Sequence, residues 1–246
     1  LGLKGIHTIE QLAKVKGVIP ETVHKDGYAI LNADDELVYA MHKNVECNVA
    51  LFSMDENNPH IRAMAKVGGI SAVYENGYIT ICRGDWELRV IKAVNFPLTF
   101  GGKATFMIQN VLPAVLTAYL RGFSIEDIKV SLETFIPSPG QTPGRLNLFN
   151  FENFQVLLDY AHNPAGLRAL QDMIQKMDAT EKIGIIAGVG DRREEDTKEL
   201  GAVAAEMFDE IIIRQDKHLR GRTETEIIQM LDEGIKKAVL NKKTTI

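Results

Sequence analysis

The sequence predicts an α/β protein in two parts, and three observations predict it. Strand-like and helix-like segments alternate along much of the 246 residues, the pattern of a sheet flanked by helices. Between residues 71 and 91 the alternation gives way to β-formers set around Asn76-Gly77 and Gly84-Asp85. Residues 137 to 143 read Pro-Ser-Pro-Gly-Gln-Thr-Pro, and three prolines and a glycine in seven residues mark a linker between domains. The expected domains are 1–142 and 143–246.

In the first part, Thr8 to Val18 reads as a helix with Ile9, Leu12, Val15 and Lys16 near one face, closed by Gly17 and Pro20. Tyr28 to Leu31 is a short apolar strand running into Asn32-Ala33-Asp34-Asp35. Asp35 to Lys43 has helical composition, and Val49 to Ser53 is the next strand. Asn76-Gly77 separates Ser71–Glu75 from Tyr78–Arg83, and Trp86–Ile91 follows. Asn-Gly supplies the positive φ that a type I′ turn needs at both central positions, so an antiparallel meander is expected. Phe106 to Leu120 is a long apolar helix with a kink expected at Pro113. Ser124-Ile125-Glu126-Asp127 starts another helix in the manner of a capping box.

In the second part, strands are expected at Gln155–Tyr160, Ile183–Ala187 and Glu210–Arg214. Helices are expected at Pro164–Met177, Glu194–Phe208 and from Thr223 onward. Strands separated by helices imply a mostly parallel sheet covered on both faces. Ligands of such sheets sit beyond the carboxyl ends of the strands.

Composition is that of an ordinary globular protein, with 45% hydrophobic and 25% charged residues. A formal net charge of -5 and the lack of a dense Lys/Arg run disfavour nucleic acid and anionic membranes as partners. No apolar run reaches the roughly 20 residues that span a bilayer. Cys47 and Cys82 lie far apart with no metal-ligand spacing, as two thiols of a reducing cytoplasm do. The Leu-Gly-Leu start, without Met, reads as a cut from a longer protein.

Five polar segments carry the chemistry, each with a bland alternative. Asn32-Ala33-Asp34-Asp35 ends a strand; Asn can read the edge of adenine, or it caps a helix. Gly144-Arg145 follows the linker; its arginine can meet a developing phosphate charge, or form an ordinary turn. Asp159-Tyr160-Ala161-His162-Asn163-Pro164 follows a strand. Its carboxylate can hold ribose hydroxyls and its helix start an anion, or Asn163 merely caps the helix. Gly188-Val189-Gly190-Asp191-Arg192-Arg193 can bind carboxylate or phosphate, or its arginines are neutralised by Glu194, Glu195 and Asp196. The run from Arg214 to Arg222, with Asp216 and Arg220, suits an acidic group or is a solvated loop.

Taken in order, Asn-x-Asp-Asp, Pro-Gly-Arg, Asp-Tyr-Ala-His-Asn-Pro and Gly-Asp-Arg-Arg resemble the Mur ligase family, which also holds the folylpolyglutamate synthases. The wording at Leu1–Thr8, Ala72–Tyr78, Gln141–Arg145 and Leu158–Gly166 is most similar to its cyanophycin branch. The resemblance runs from Leu1 to about Gly234. Peptidoglycan ligases carry a His-Asn pair where this chain reads Gly101-Gly102-Lys103-Ala104-Thr105-Phe106. The family's Gly-Lys-Thr/Ser phosphate loop is not in the chain and would lie upstream.

The resemblance implies the remainder of a Mur ligase central ATP-binding domain, followed by a Rossmann-like C-terminal domain. It implies ATP and Mg²⁺ as cofactors, and a carboxylate phosphorylated by ATP before an amine attacks it. Lys16, or Lys14 if the alignment shifts, would be a carbamylated lysine that helps hold Mg²⁺. Asn32 would read adenine, with Asp159 and His162 completing the nucleotide site, and Arg145 would meet the γ-phosphate. Asp191, Arg192, Arg193, Asp216 and Arg220 would line the pocket of the incoming amino acid. In the cyanophycin branch that amino acid is arginine, joined to a poly-aspartate primer, with Asp216 placed to pair with its guanidinium. The whole enzyme would be a cytoplasmic homo-oligomer and the isolated fragment inactive. A non-catalytic nucleotide- or peptide-binding module remains the reading from another class, and the peptidoglycan and folylpolyglutamate branches remain alternatives within the family.

Overall fold

The computed structural model describes residues 5–190, 192–215 and 219–246. Two compact units divide it, Leu1–Ile136 and Pro137–Ile246, and each is taken by itself.

The first unit is built on a five-stranded sheet. Its strands are β1 (Tyr28–Asn32), β2 (Asn48–Ser53), β3 (Ile70–Glu75), β4 (Tyr78–Arg83) and β5 (Trp86–Lys92), paired in chain order. β1, β2 and β3 run parallel, and β3, β4 and β5 form the antiparallel meander. The turn between β3 and β4 has φ 48° at Asn76 and 84° at Gly77, as Asn-Gly predicts. Strand alternation sorts the apolar residues onto two faces. Ala50, Ala72, Ile79 and Ile81 pack with Ile108, Val111, Leu112 and Val115 of α4 (Thr105–Leu120). Leu31, Leu51 and Val73 pack on the other face with Ile61 of α3 (Pro59–Lys66). Burial pushes the Cys82 thiol up to about 11, with Glu87 and Glu75 adding to the shift.

Three local expectations change. α1 (Ile9–Glu21) runs through Gly17 and Pro20 and ends at Thr22, whose N–H reaches the carbonyls of Val18, Ile19 and Pro20. Proline costs the helix one N–H bond, and so close to the end little helix remains to lose. Helix α3 was not anticipated, although Asn58 as N-cap and Pro59 at the first position are a start signal. α2 (Glu36–Tyr39) and a following 3₁₀ turn (Ala40–Asn44) replace the expected longer helix, and α5 spans Ile125–Thr134.

The second unit holds a three-stranded parallel sheet of β8 (Ile183–Ile186), β9 (Glu210–Ile213) and β10 (Lys243–Thr245), ordered β10-β9-β8. Strand β7 (Gln155–Leu158) instead pairs antiparallel with β6 (Asn147–Asn150) in a separate hairpin. α6 (Pro164–Gln175), α7 (Glu194–Met207) and α8 (Glu224–Ala238) alternate with the strands. Two successive crossovers in the same direction put α7 and α8 side by side on one face. Ile183 and Ile185 point the other way and are exposed, so this sheet is not covered on both faces. α7 and α8 meet backbone to backbone. A Cβ on Gly234 would lie 1.9 Å from the Lys198 carbonyl oxygen, and one on Gly201 would lie 2.2 Å from that of Leu231.

Among the described residues no helix is long and apolar enough to cross a membrane.

Candidate functional site

In the first unit the polar residues gather where β1 and β2 end. Asn32, half-buried, accepts the Asp34 N–H on Oδ1 (3.0 Å), and its Nδ2 has no partner among the described residues. Asp34 is the hub. It accepts from Ser53 Oγ, from the Met54 N–H (2.8 Å) and from Asn58 Nδ2 (3.1 Å). Asn58, buried, also donates to the Ala33 carbonyl (3.0 Å). Asp35 caps α2 through the N–H groups of Leu37 and Val38. His60 stacks on Tyr39 at 3.6 Å between ring centroids and reaches Glu36 Oε1 at 2.9 Å. The turn is thus held by groups from α2, β2 and α3, and the Asn32 amide is left as a donor at the strand end. Lys16 and Lys14 are exposed on α1. No group of three or more His, Cys, Asp or Glu placed to hold a metal occurs among the described residues.

In the second unit the structure brings Arg145, Asp159 and His162 together. Asp159 Oδ2 accepts the Leu146 N–H (2.9 Å) and Oδ1 accepts the Ala161 N–H (2.8 Å). The Arg145 guanidinium lies over the Tyr160 ring at 4.9 Å, and the His162 ring is tilted against Tyr160 at 4.9 Å between centroids. His162 Nδ1 sits 3.0 Å from the Tyr160 carbonyl. Leu146 is buried with φ 49°, a left-handed conformation unusual for a leucine. Asp159 therefore pins the turn that carries Arg145. A carboxylate has about four acceptor positions, so two remain for a pair of ribose hydroxyls and the residues fit a nucleotide. Asn163 caps α6 by accepting the Gly166 N–H (2.8 Å), as its bland alternative held.

The Gly-Asp-Arg-Arg turn and the loop after β9 meet at one rim. A Cβ on Gly190 would lie 1.7 Å from the Leu219 carbonyl oxygen, so only glycine fits that approach. Arg222 Nη2 donates to the Arg192 carbonyl (3.1 Å). Arg193 pairs with Asp196 through two bonds, Nε to Oδ2 at 2.9 Å and Nη2 to Oδ1 at 2.6 Å. That pairing holds the Asp196 carboxyl below its ordinary range. Arg193 is therefore turned to its own helix, the neutralisation that its neighbouring acids suggested. Arg220 sits in an exposed turn with φ 45°. Asp191 and Asp216 lie outside the described residues.

Arg192 differs from its neighbour. Its Nε is buried with no hydrogen-bond partner among the described residues. It lines a cleft of about 300 Å³ beside the first turns of α6 and α7, with His162, Asn163, Arg168, Asp196 and Glu199. Arg168 and Glu199 were missed in the sequence. They pair at 2.7 Å across 31 residues of chain, and no local spacing announces such a contact.

Family models decide the relationship. The Mur ligase middle domain matches residues 2–118, and the Mur ligase glutamate ligase domain matches residues 144–245. The chain belongs to the Mur ligase family. Within it, the chain is 49% identical over 235 residues to the cyanophycin synthetase of Crocosphaera subtropica, covering 96% of this chain and 27% of that protein. It is 46% identical to the cyanophycin synthetase of a Nostoc species, covering 96% of this chain and 26% of that protein. The chain thus spans about a quarter of the length of these curated relatives. The fold is shared with the folylpolyglutamate synthase of Mycobacterium tuberculosis complexed with ADP and AMPPCP. There the TM-score is 0.64 at 17% identity, over all of this chain and 50% of that one.

Proposed function

We propose that this Mur ligase chain works as the C-terminal portion of an ATP-dependent amide-bond-forming ligase that adds arginine to the side-chain carboxylates of a poly-aspartate primer. The observation that carries the reading is 46–49% identity to cyanophycin synthetases across 96% of the chain. The site geometry is compatible with it. In this reading ATP supplies a phosphoryl group to the acceptor carboxylate, and Mg²⁺ accompanies the nucleotide, with Lys16 assisting if carbamylated.

The chain's own residues then divide the work. Asn32 offers its free amide N–H groups to the adenine edge. Asp159 holds the ribose while keeping its bonds to Leu146 and Ala161, and His162 stands beside it. Arg145, released from Tyr160, meets the transferring phosphate, where a guanidinium stabilises the developing charge. Arg192 and Arg220, with Asp191 and Asp216, serve the incoming amino acid, while Arg193 stays on Asp196 and holds the start of α7. Its amine, held near the acyl phosphate, gains the advantage of proximity. The intact enzyme would work in the cytoplasm as a homo-oligomer.

The test is a chimera in which this chain replaces the corresponding segment of the Crocosphaera subtropica cyanophycin synthetase. The expected result is phosphate release that requires both arginine and poly-aspartate. A folded chimera that releases none under those conditions defeats the reading and favours a non-catalytic module. Release with a peptidoglycan precursor or a folate instead would move the chain to another branch. The 246-residue chain alone holds no Gly-x-x-x-x-Gly-Lys-Ser/Thr loop, and it is expected to turn over no ATP, because nothing cradles the phosphates.

A further inference from the structure

We propose that the outer edge of β5 is a surface on which two copies of this chain join, strand to strand and antiparallel, about a two-fold axis at Leu88. The contact belongs to the sheet of the first unit, at the opposite edge from β1 and its polar turn, and does not depend on the ligase reading.

β5 is an outer strand of the five-stranded sheet, and β4 holds one of its sides. Among the described residues, Trp86–Ile91 make no backbone hydrogen bond outside that ladder. Such an edge is a template for another strand, and proteins guard edges with proline, lysine or charge. Trp86–Val90 holds neither proline nor lysine. Trp86, a large apolar side chain, is 49% exposed. The ladder with β4 shifts register between Ile79 and Thr80, which makes Val90 the extra residue of a bulge. The strand bends there, so the stretch open to pairing is Trp86–Val90.

The chemistry of that stretch suits a second copy of itself. Antiparallel pairing about Leu88 sets residue 87 of one copy opposite residue 89 of the other, and residue 86 opposite residue 90. Side chains that stand opposite share a face of the sheet. Glu87 then meets the partner's Arg89, and Arg89 meets the partner's Glu87, so symmetry makes two ion pairs from one pair of residues. On the other face Trp86 meets the partner's Val90, an aromatic against a β-branched side chain, which is a favourable cross-strand pair. Leu88 meets the partner's Leu88 on the axis. Trp-Glu-Leu-Arg-Val therefore matches its own reverse, with opposite charges where the two-fold needs them. Charges on an edge deter a chance partner. A second copy of this strand necessarily carries the complementary ones.

The charged side chains are free to make these pairs. Arg89 is 55% exposed, and its present contacts are loose, 3.8 Å from Glu75 and 5.2 Å over the Tyr78 ring. Exposed pairs of that kind exchange at little cost. Glu87 is exposed and holds no ion pair among the described residues. Five residues on each strand make a small interface, so the dimer is weak and grows with concentration.

Sedimentation equilibrium of the 246-residue chain over a rising concentration series tests this. The unsubstituted chain is expected to pass from monomer to dimer. Glu87→Arg and Arg89→Glu each set like charges opposite one another twice, and each alone should dimerise at least about tenfold more weakly. Mixed in equal amounts, the two variants again bring Arg against Glu at both places and should recover the dimer. Trp86→Lys, at an exposed site, gives an independent reading and should also weaken it. Thermal melting checks that each variant is folded. A chain that stays monomeric at every concentration overturns the proposal. So do folded single variants that dimerise as well as the unsubstituted chain, or a mixture that dimerises no better than its components.

Discussion

Both units place polar side chains where parallel strands end, yet they leave them in opposite states. At the end of β1, Asp34 gathers Ser53, Met54 and Asn58 into a network in which the charged hub has its partners. At the end of β8, Arg192 carries a buried N–H that nothing in the described protein accepts. A closed network fixes a turn. An unpaired buried N–H costs stability. The two units also hold themselves together differently. The first has a five-stranded sheet with apolar clusters on both faces. The second has three strands and relies on α7 lying against α8 closely enough that only glycine fits at residues 201 and 234.

The largest expected effect breaks that helix contact. Gly234→Ala sets a methyl group against the Lys198 carbonyl, and backbone cannot step aside. A loss of about 3 kcal/mol is expected in urea unfolding of the second unit. Gly140→Ala, with open space around it, is the control and should stay within about 0.5 kcal/mol. Equal effects would mean that α7 and α8 are not in contact as described.

The comparison between the two polar groups is sharpened by a pair of variants of opposite sign. Asp34→Ala leaves the Met54 N–H without its acceptor and takes one bond each from Asn58 Nδ2 and Ser53 Oγ, which keep the Ala33 and Asp55 carbonyls, and should destabilise the first unit by about 2 kcal/mol. Arg192→Met removes an unpaired buried N–H while keeping an apolar stem, and should leave stability unchanged or raise it by up to about 1 kcal/mol. If Arg192→Met costs as much as Asp34→Ala, Arg192 is a structural residue and the contrast is lost.

The smallest effect is electrostatic. Its hydrogen bond to Arg193 holds Asp196 below the ordinary carboxylate range. The folded state therefore binds this proton less readily than the unfolded state, and the pair stabilises the fold above about pH 4. The contribution fades as pH falls below that value. The side chains of Arg193 and Asp196 are 44% and 25% exposed, so the effect should stay under about 1 kcal/mol and shrink with salt. Unfolding of Asp196→Asn between pH 3 and pH 7 checks it, and the variant's curve should lack that slope.

What the sequence disclosed follows from the range of the interactions. Asn76-Gly77, the Ser124 start of α5 and the Asn163 cap are settled by a few consecutive residues, and each forms as expected. Pairing partners are not local. β7 looked like a member of the parallel sheet and instead pairs with β6, because strand composition says nothing of which edge a strand meets. The Mur ligase motifs were legible because they are short strings at strand ends. The Asp159 grip on the Leu146 N–H and the Arg168–Glu199 pair were not, since each joins segments 13 or 31 residues apart. Arg192 and Arg193 looked interchangeable in sequence. One binds its own helix and the other lines the cleft, a distinction made by where α7 begins.

The central claim is that Arg192 serves the incoming amino acid and not the nucleotide. The most direct measurement is the pair of KM values, for arginine and for ATP, in the chimera carrying Arg192→Met. The account predicts that the arginine KM rises at least about tenfold while the ATP KM stays within about twofold. An unchanged arginine KM, or an equal rise in both, would contradict it.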